Sequence, residues 1–559
     1  MARRRRYLRL LELLPAPLRS LLAGEDSRLA RAAPWLALAA LTAAVTAPLL
    51  LEERMFLREL EGDSIVTVWY YNLITASLPD LPTHLIAFDW PNPHPRTAEF
   101  PAYFSALLAA PWFALLGWQQ GFAVTQASAV AVAVGGAALM ARGLGARGSG
   151  ILVAGGLALF TRNLWFTVHA SQLNAAWPGL ALGALGALLW QLEPELPRAR
   201  RVALAVTAAL LGWLASEIYP PTLAFLAPAG AALFLLSGRL RPRALAWVAA
   251  AVLPVLIYRY AGMMEMAASR PAQDCGACFD ALHAVDLRAL ALTRDPGIGF
   301  TRPGFYLTSW IGLPLVLLHA GRLRLAAAAL ALAPLVLLSL GSCPQLGGEP
   351  VAALRTLESL KDFWCGARSL SDLSRAATAA ALAAGVLAGV GLEALRPRWA
   401  RLLTAALLLG PAGWLTVSEL ERERNWTPVS PPPAGRFLAD APAGAAVELP
   451  YDQSAQFLSA LTAPNRPRVN PLKRGHTPAG GEELVWLNTL GGGALPDAAP
   501  LETLVAHDIR WVLYEPGRCA GISARCPEGM EGWLRETFGE PRAYEDGALL
   551  IWEVGGSGG

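Results

Sequence analysis

The residues best suited to chemistry gather in one stretch, ELEGDSIVTVWYYNLITASLPDLPTHLIAFDWPNPHPRTAEFPAYF, which holds Asp63, Asp80, Asp89, His94, Arg96 and Glu99. A positioned carboxylate takes a proton from an attacking hydroxyl, or ligates a metal ion. Asp63 follows a short acidic run and opens an amphipathic segment, and Glu99 immediately precedes an apolar one. The complementary cations are Arg162, Arg259, Arg302, Lys361, Arg368 and Arg375. Lysine occurs only at 361 and 473. Anion contact therefore rests on arginine, whose planar fork binds phosphate through two parallel hydrogen bonds. His169 and Glu217 stand at the ends of apolar segments, where an ionisable group is a functional candidate by default. Each residue also has a plainer role. A loop acid is usually solvated, and Glu99 suits the first turn of a helix. Asp89 and His94 lie in DWPNPHP, which reads as a rigid turn, and the arginines can snorkel toward lipid phosphates.

The elements that position these groups follow from composition. The chain has 559 residues, 54% of them hydrophobic and 16% charged, against about 25% charged in a soluble domain. Mean hydropathy is +0.39. An ordinary soluble enzyme and a disordered chain are both excluded, and a net charge of +3 is too small to point to nucleic acid. A membrane-spanning helix needs roughly 20 apolar residues. Such segments run over 33–51, 122–141, 150–168, 175–192, 202–218, 221–238, 244–260, 304–320, 324–341, 374–395 and 402–418. Segment 100–117 contains Pro101 and Pro111 and is flanked by polar turns, so it reads as a helix lying in the outer interface. The total is about eleven crossings.

Arginine in short loops sets the orientation. Arg3, Arg4, Arg5, Arg6 and Arg9 hold the N-terminus inside, and basic clusters at 142/147, 198/200/201, 239/241/243, 322/324 and 396/398/401 mark inside loops. Left outside are 52–121, 169–174, the turn near Pro220, 261–303, 342–373 and everything after 419. Trp69, Tyr70 and Tyr71 are expected to anchor the first outside segment at the membrane interface, as are Trp112, Trp165 and Trp310. All six cysteines, Cys275, Cys278, Cys343, Cys365, Cys519 and Cys526, fall in outside segments. That reads as local bridges within 275/278 and 519/526, and a third between 343 and 365. The rival reading of the CxxC at 275 as a metal site lacks a second CxxC or a nearby histidine pair.

Four regions result: a basic amphipathic cytoplasmic lead-in over 1–32, a membrane domain over 33–418, a charged and then proline-rich linker over 419–432, and a change of character over 433–559. There, β-like runs at 446–449, 509–514 and 549–554 alternate with helical stretches at 455–461 and 529–537, the pattern of a small α/β domain. The closing GGSGG reads as a flexible end. The fold class is an all-α polytopic membrane domain with interfacial helices and a small C-terminal α/β extracytoplasmic domain.

This layout resembles the GT-C superfamily of membrane glycosyltransferases: a basic N-terminus, one span, an outside loop with an early acid in GDS, and an interfacial helix opened by the acid of EFPAY. GARSLSDLSRAATAAALAAGVLAGVGLEAL and VELPYD…IRWVLYEP look like features of bacterial members. The resemblance implies that Asp63 is the catalytic or metal-binding carboxylate, with Glu99 assisting. It implies a polyprenyl-phosphate sugar donor held by the cationic set with His169 and Glu217, and a glycan, lipid or protein acceptor. It also implies a place in the bacterial inner membrane with the C-terminal domain in the periplasm, and a divalent ion (Mg or Mn) as a candidate cofactor. The family's paired acid is absent, since Gly62 and Ser64 flank Asp63, and the second outside loop, HASQLN, carries no acid. A non-catalytic scaffold or lipid-binding relative is therefore the second expectation. A transporter is the third, disfavoured because charge collects at one face and not at the midplane.

Overall fold

A computed structural model of the chain describes residues 28–51, 63–79, 103–161, 164–165, 177–191, 196–218, 376–393, 397–422, 431–450, 453–464, 466–469, 493–497, 501–520 and 526–554, with a few single positions between. The chain divides into two compact units. The first is Met1–Glu52, Gln126–His169 and Leu173–Asn425, and the second is Glu53–Thr125, Ala170–Gln172 and Trp426–Gly559.

The first unit is helical. Its helices are α1 (Arg28–Leu51), the later part of α3 (Tyr103–Gly143), α4 (Gly148–Leu159), α5 (Trp177–Gln191), α6 (Arg198–Ile218), α7 (Ala376–Leu392) and α8 (Arg398–Arg422). Among the described residues, three stretches are long and apolar enough to cross a membrane: Ala32–Leu50, Ser105–Gly143 and Arg398–Ser418. Glycine lets the helices approach closely, because lipid offers no hydrophobic drive between them and packing must supply it. A Cβ at Gly136 would lie 1.8 Å from the Gly179 carbonyl oxygen, and one at Gly143 would lie 2.3 Å from that of Gly186. These pairs advance together, so α3 and α5 run parallel. Helices α4 and α7 run antiparallel, with Gly150 against Gly389 and Leu157 against Gly385. The segments expected to span at 221–238, 244–260, 304–320 and 324–341 lie outside the described residues. A two-residue antiparallel pair joins β1 (Gln345–Leu346) to β2 (Glu349–Pro350).

One end of this bundle collects the basic turns. Arg142 at the end of α3 donates twice to Glu193, at 2.7 and 3.1 Å. Its guanidinium stacks on Trp190 at 4.6 Å, and that of Arg200 does so at 4.8 Å. Glu393, just after α7, accepts from the Arg147 backbone N–H at 3.0 Å and from Arg401 at 3.2 Å. One carboxylate closes each pair of turns.

The second unit contains α2 (Asp63–Ala76), the first limb of α3, and the C-terminal α/β structure. Helix α3 breaks at Gly117, where φ is 76° and ψ 168°, a conformation that glycine adopts without a Cβ penalty. The chain folds back there: a Cβ at Gly121 would lie 2.7 Å from the Phe113 Cα. The sequence-based division between an interfacial helix, 100–117, and a span, 122–141, falls at this break.

The α/β structure runs α9 (Pro433–Asp440), β3 (Ala445–Leu449), α10 (Gln453–Thr462), α11 (Leu501–Ala506), β4 (Ile509–Tyr514), α12 (Met530–Phe538), β5 (Arg542–Tyr544) and β6 (Leu549–Glu553). The sheet order is β3-β4-β6-β5, with β3 and β4 parallel and the other pairs antiparallel. Alternation along the strands divides the core in two. Ala446, Trp511, Leu513, Leu549 and Ile551 pack with Phe437 and Leu438 of α9, while Val447, Val512, Tyr514, Leu550 and Trp552 pack with Leu534 of α12 and Trp486.

Candidate functional site

Asp63 is the first residue of α2, whose backbone N–H groups and dipole make this end of the helix favourable to negative charge. Its side chain falls outside the described residues. What the structure does describe is how the helix is held. Ile65, Val68, Trp69, Tyr70, Tyr71, Leu73 and Ile74 are all 2% exposed or less, so α2 is enclosed by protein on more than one side.

This corrects one expectation. Trp69, Tyr70 and Tyr71 are not membrane-interface anchors: they are core residues of the second unit. Trp69 packs on Phe457 of α10 with ring centroids 5.2 Å apart. Tyr71 meets Phe113 of the first limb of α3 edge-on at 5.9 Å, and burial pushes its phenol well above its ordinary pKa. Asn72, on the same helix, donates from its side-chain amide to the Leu461 carbonyl of α10 at 3.1 Å. Trp165 is likewise buried, its indole N–H donating to Leu159 at 2.6 Å, whereas Trp112 is 42% exposed.

Helix α10 is fixed in turn by a buried charge pair that sequence reasoning missed. Glu448 of β3 is 1% exposed and Arg468 0%. The Arg468 Nε donates to Glu448 at 2.6 Å, its Nη1 to the Ala463 carbonyl at 3.1 Å and its Nη2 to Ser459 at 3.2 Å. The Ser459 hydroxyl donates to the same Glu448 oxygen at 2.8 Å. The signal in the sequence was a glutamate inside the apolar run AAVELP, since a buried acid needs a countercharge nearby. A second buried acid, Glu515, follows β4. It accepts from the Ala434 backbone N–H at 3.0 Å and from Arg518 at 2.7 Å, and burial raises its carboxyl above the ordinary range even so.

Of the other sequence-derived site residues, Glu217 lies in the last turn of α6, its side chain outside the described set. Asp89, His94, Glu99, Arg162, His169, Arg259, Lys361, Arg368 and Arg375 lie outside the described residues, as do Cys275, Cys278, Cys343 and Cys365. Cys519 and Cys526 are disulfide-bonded. Among the described residues, no three His, Cys, Asp or Glu side chains come together to hold a metal ion.

No family model and no curated protein matches the chain. Solved structures do. The arabinofuranosyltransferase AftD from mycobacteria superposes with a TM-score of 0.55 at 14% identity, over 92% of this chain and 40% of AftD. The oligosaccharyltransferase AglB of Archaeoglobus fulgidus, solved with an inhibitory peptide and a dolichol-phosphate, gives 0.51 at 12% identity, over 86% of this chain and 69% of AglB. ArnT from Cupriavidus metallidurans gives 0.50 at 15% identity, over 93% of this chain and 98% of ArnT. The chain has the GT-C fold. It spans two fifths of AftD, the first of these relatives, and nearly all of ArnT. Among the described residues, α2, begun by Asp63, is packed against α10 and the first limb of α3.

Proposed function

We propose that the chain transfers a sugar from a polyprenyl-phosphate donor to a glycan, lipid or protein acceptor at the outer face of a bacterial inner membrane. The observation that carries this reading is the enclosed helix α2, which starts at Asp63 in a chain with the GT-C fold. A long-chain polyprenyl phosphate, dolichol-phosphate, is present in the AglB complex. In the proposed step the acceptor hydroxyl attacks the anomeric carbon, the bond from that carbon to the phosphate oxygen breaks, and the lipid phosphate leaves with the electron pair. The Asp63 carboxylate takes the hydroxyl proton, with Glu99 assisting. Arg162, Arg259, Lys361, Arg368 and Arg375, with His169 and Glu217, are the proposed donor-binding set, since preorganised cations stabilise charge where it develops on the leaving phosphate. Asp89 and His94 are further first-loop candidates.

The proposed topology puts the N-terminus in the cytoplasm and the C-terminal domain in the periplasm. Two observations support it. The arginine-rich turns at 142–147, 198–201 and 398–401 share one end of the first unit, which fits the excess of arginine in cytoplasmic loops. The second unit joins the first loop to the C-terminal domain that carries the Cys519–Cys526 disulfide, and such bonds persist in oxidising compartments.

The test is sugar transfer from a polyprenyl-phosphate donor by the wild type and Asp63→Asn. A general base is worth about 10²–10⁴-fold, so transfer falls by that factor at unchanged donor binding. Equal transfer by both proteins removes Asp63 from the mechanism. The single acid in GDS keeps a second reading in view, a non-catalytic relative. That reading gains if the wild type binds donor lipid and transfers nothing.

A further inference from the structure

The C-terminal domain reaches across the sequence to the helix that begins at Asp63. Helix α2 meets α10 at two points about one turn apart: Trp69 on Phe457, with ring centroids 5.2 Å apart, and the Asn72 amide on the Leu461 carbonyl at 3.1 Å. The contact residues advance in the same order on both helices, so the two run in the same direction. At 1.5 Å per residue, Asp63 lies roughly 9 Å upstream of Trp69 along α2, and Gln453, the first residue of α10, roughly 6 Å upstream of Phe457. The helices thus begin at the same end, and any slide or rotation of α2 against α10 is transmitted to Asp63.

Both contacts resist such movement. The ring contact is buried, with Trp69 at 0% and Phe457 at 1% exposure. The amide bond is directional and picks out one carbonyl. Helix α10 itself cannot drift, because Ser459, which sits between Phe457 and Leu461, is tied to Glu448 and Arg468 on the sheet side. Breaking that network would leave a charge buried without its partner.

We propose that the C-terminal α/β domain is part of the catalytic frame, and that Asn72 and Phe457 are positioning residues that hold the α2 acid in register with the reacting centre. This rests on the proposed role of Asp63. Its premise is that a misplacement of about 1 Å can cost on the order of 10²-fold in rate.

The test is a double-mutant cycle on the full-length protein, using Asp63→Asn, Asn72→Leu and the two together. Sugar transfer is read as kcat and donor KM, and melting temperature is measured alongside. Asn72→Leu is expected to lower kcat about 10- to 100-fold with donor KM unchanged. In the Asp63→Asn background it is expected to cause no further loss, because a residue that acts through Asp63 has nothing left to position. A purely structural role would lower transfer in both backgrounds alike. If Asn72→Leu fails to fold, Phe457→Leu replaces it in the same cycle. Full activity of the positioning variant, or equal losses in the two backgrounds, overturns the inference while leaving Asp63 in place. Full activity of Asp63→Asn overturns the underlying reading and the inference with it.

Discussion

Two buried acids in the C-terminal domain show how the environment of one residue decides what it does. Glu448 shares one of its oxygens between the Arg468 Nε and the Ser459 hydroxyl. Glu515 has Arg518 and one backbone N–H, yet its carboxyl is held above the ordinary range because burial outweighs those partners, and the neighbouring Glu448 adds to the rise. Burial disfavours the charged form of an acid. A carboxyl whose folded-state pKa exceeds its unfolded one stabilises the fold fully below the unfolded value and loses that contribution as pH rises through the folded value. Stability from Glu515 is therefore greatest in acid and declines above its ordinary value of 4.5. Glu515→Gln keeps the neutral shape and cannot titrate. Melting temperatures of wild type and variant, taken from about pH 4 to about pH 8, are expected to differ by an amount that shifts against the wild type as pH rises and then levels off. A difference constant across that range would remove Glu515 as a titrating group.

At the scale of elements, glycine decides which helices of the first unit can touch. Gly136 and Gly143 on α3 face Gly179 and Gly186 on α5, each pair seven residues apart, which is two helical turns. A Cβ at Gly179 would lie 2.3 Å from the Ala133 Cα and 2.6 Å from the Val132 carbonyl. Backbone atoms cannot step aside, so Gly179→Val forces the helices apart and is expected to cost about 1–3 kcal/mol, seen as a lowered melting temperature in detergent. Gly135→Ala on α3, where an added Cβ meets nothing within 4 Å, is expected to melt near the wild type. Equal melting of the two variants would count against the close α3–α5 approach. The same scale shows what the sequence made legible. Strands β3, β4 and β6 were readable from their apolar runs, but β5 was not, because Arg542, Ala543 and Tyr544 are exposed or only half-buried and carry no apolar signal. The start of α2 at Asp63 was readable from the amphipathic stretch that opens there. The grip on its helix was not: a Trp-Tyr-Tyr cluster looks the same whether it faces lipid headgroups or protein. The acceptor for Asn72 is a backbone carbonyl, which leaves no mark in the sequence.

For the whole molecule, charge and redox chemistry must agree on one orientation. Among the described residues, the arginine-rich turns of the first unit set the carboxylates of Glu193 and Glu393 against Arg142, Arg147, Arg200, Arg201 and Arg401. The excess of positive charge at that end opposes translocation across the membrane. The second unit carries the disulfide and lacks such a cluster among its described residues. Labelling with a membrane-impermeant maleimide tests the resulting topology. Ala199→Cys sits in an exposed position among the arginines, and Glu540→Cys replaces a side chain that is 83% exposed in the C-terminal domain. Glu540→Cys is expected to react in intact cells, and Ala199→Cys only after permeabilisation. If the other four cysteines pair as Cys519 and Cys526 do, the wild type is expected to stay unlabelled until a reductant is added. Reaction of Ala199→Cys in intact cells would invert the membrane domain and bring the basic turns to the outer face. The proposed topology, with Asp63 facing a donor presented outside, would fall with it.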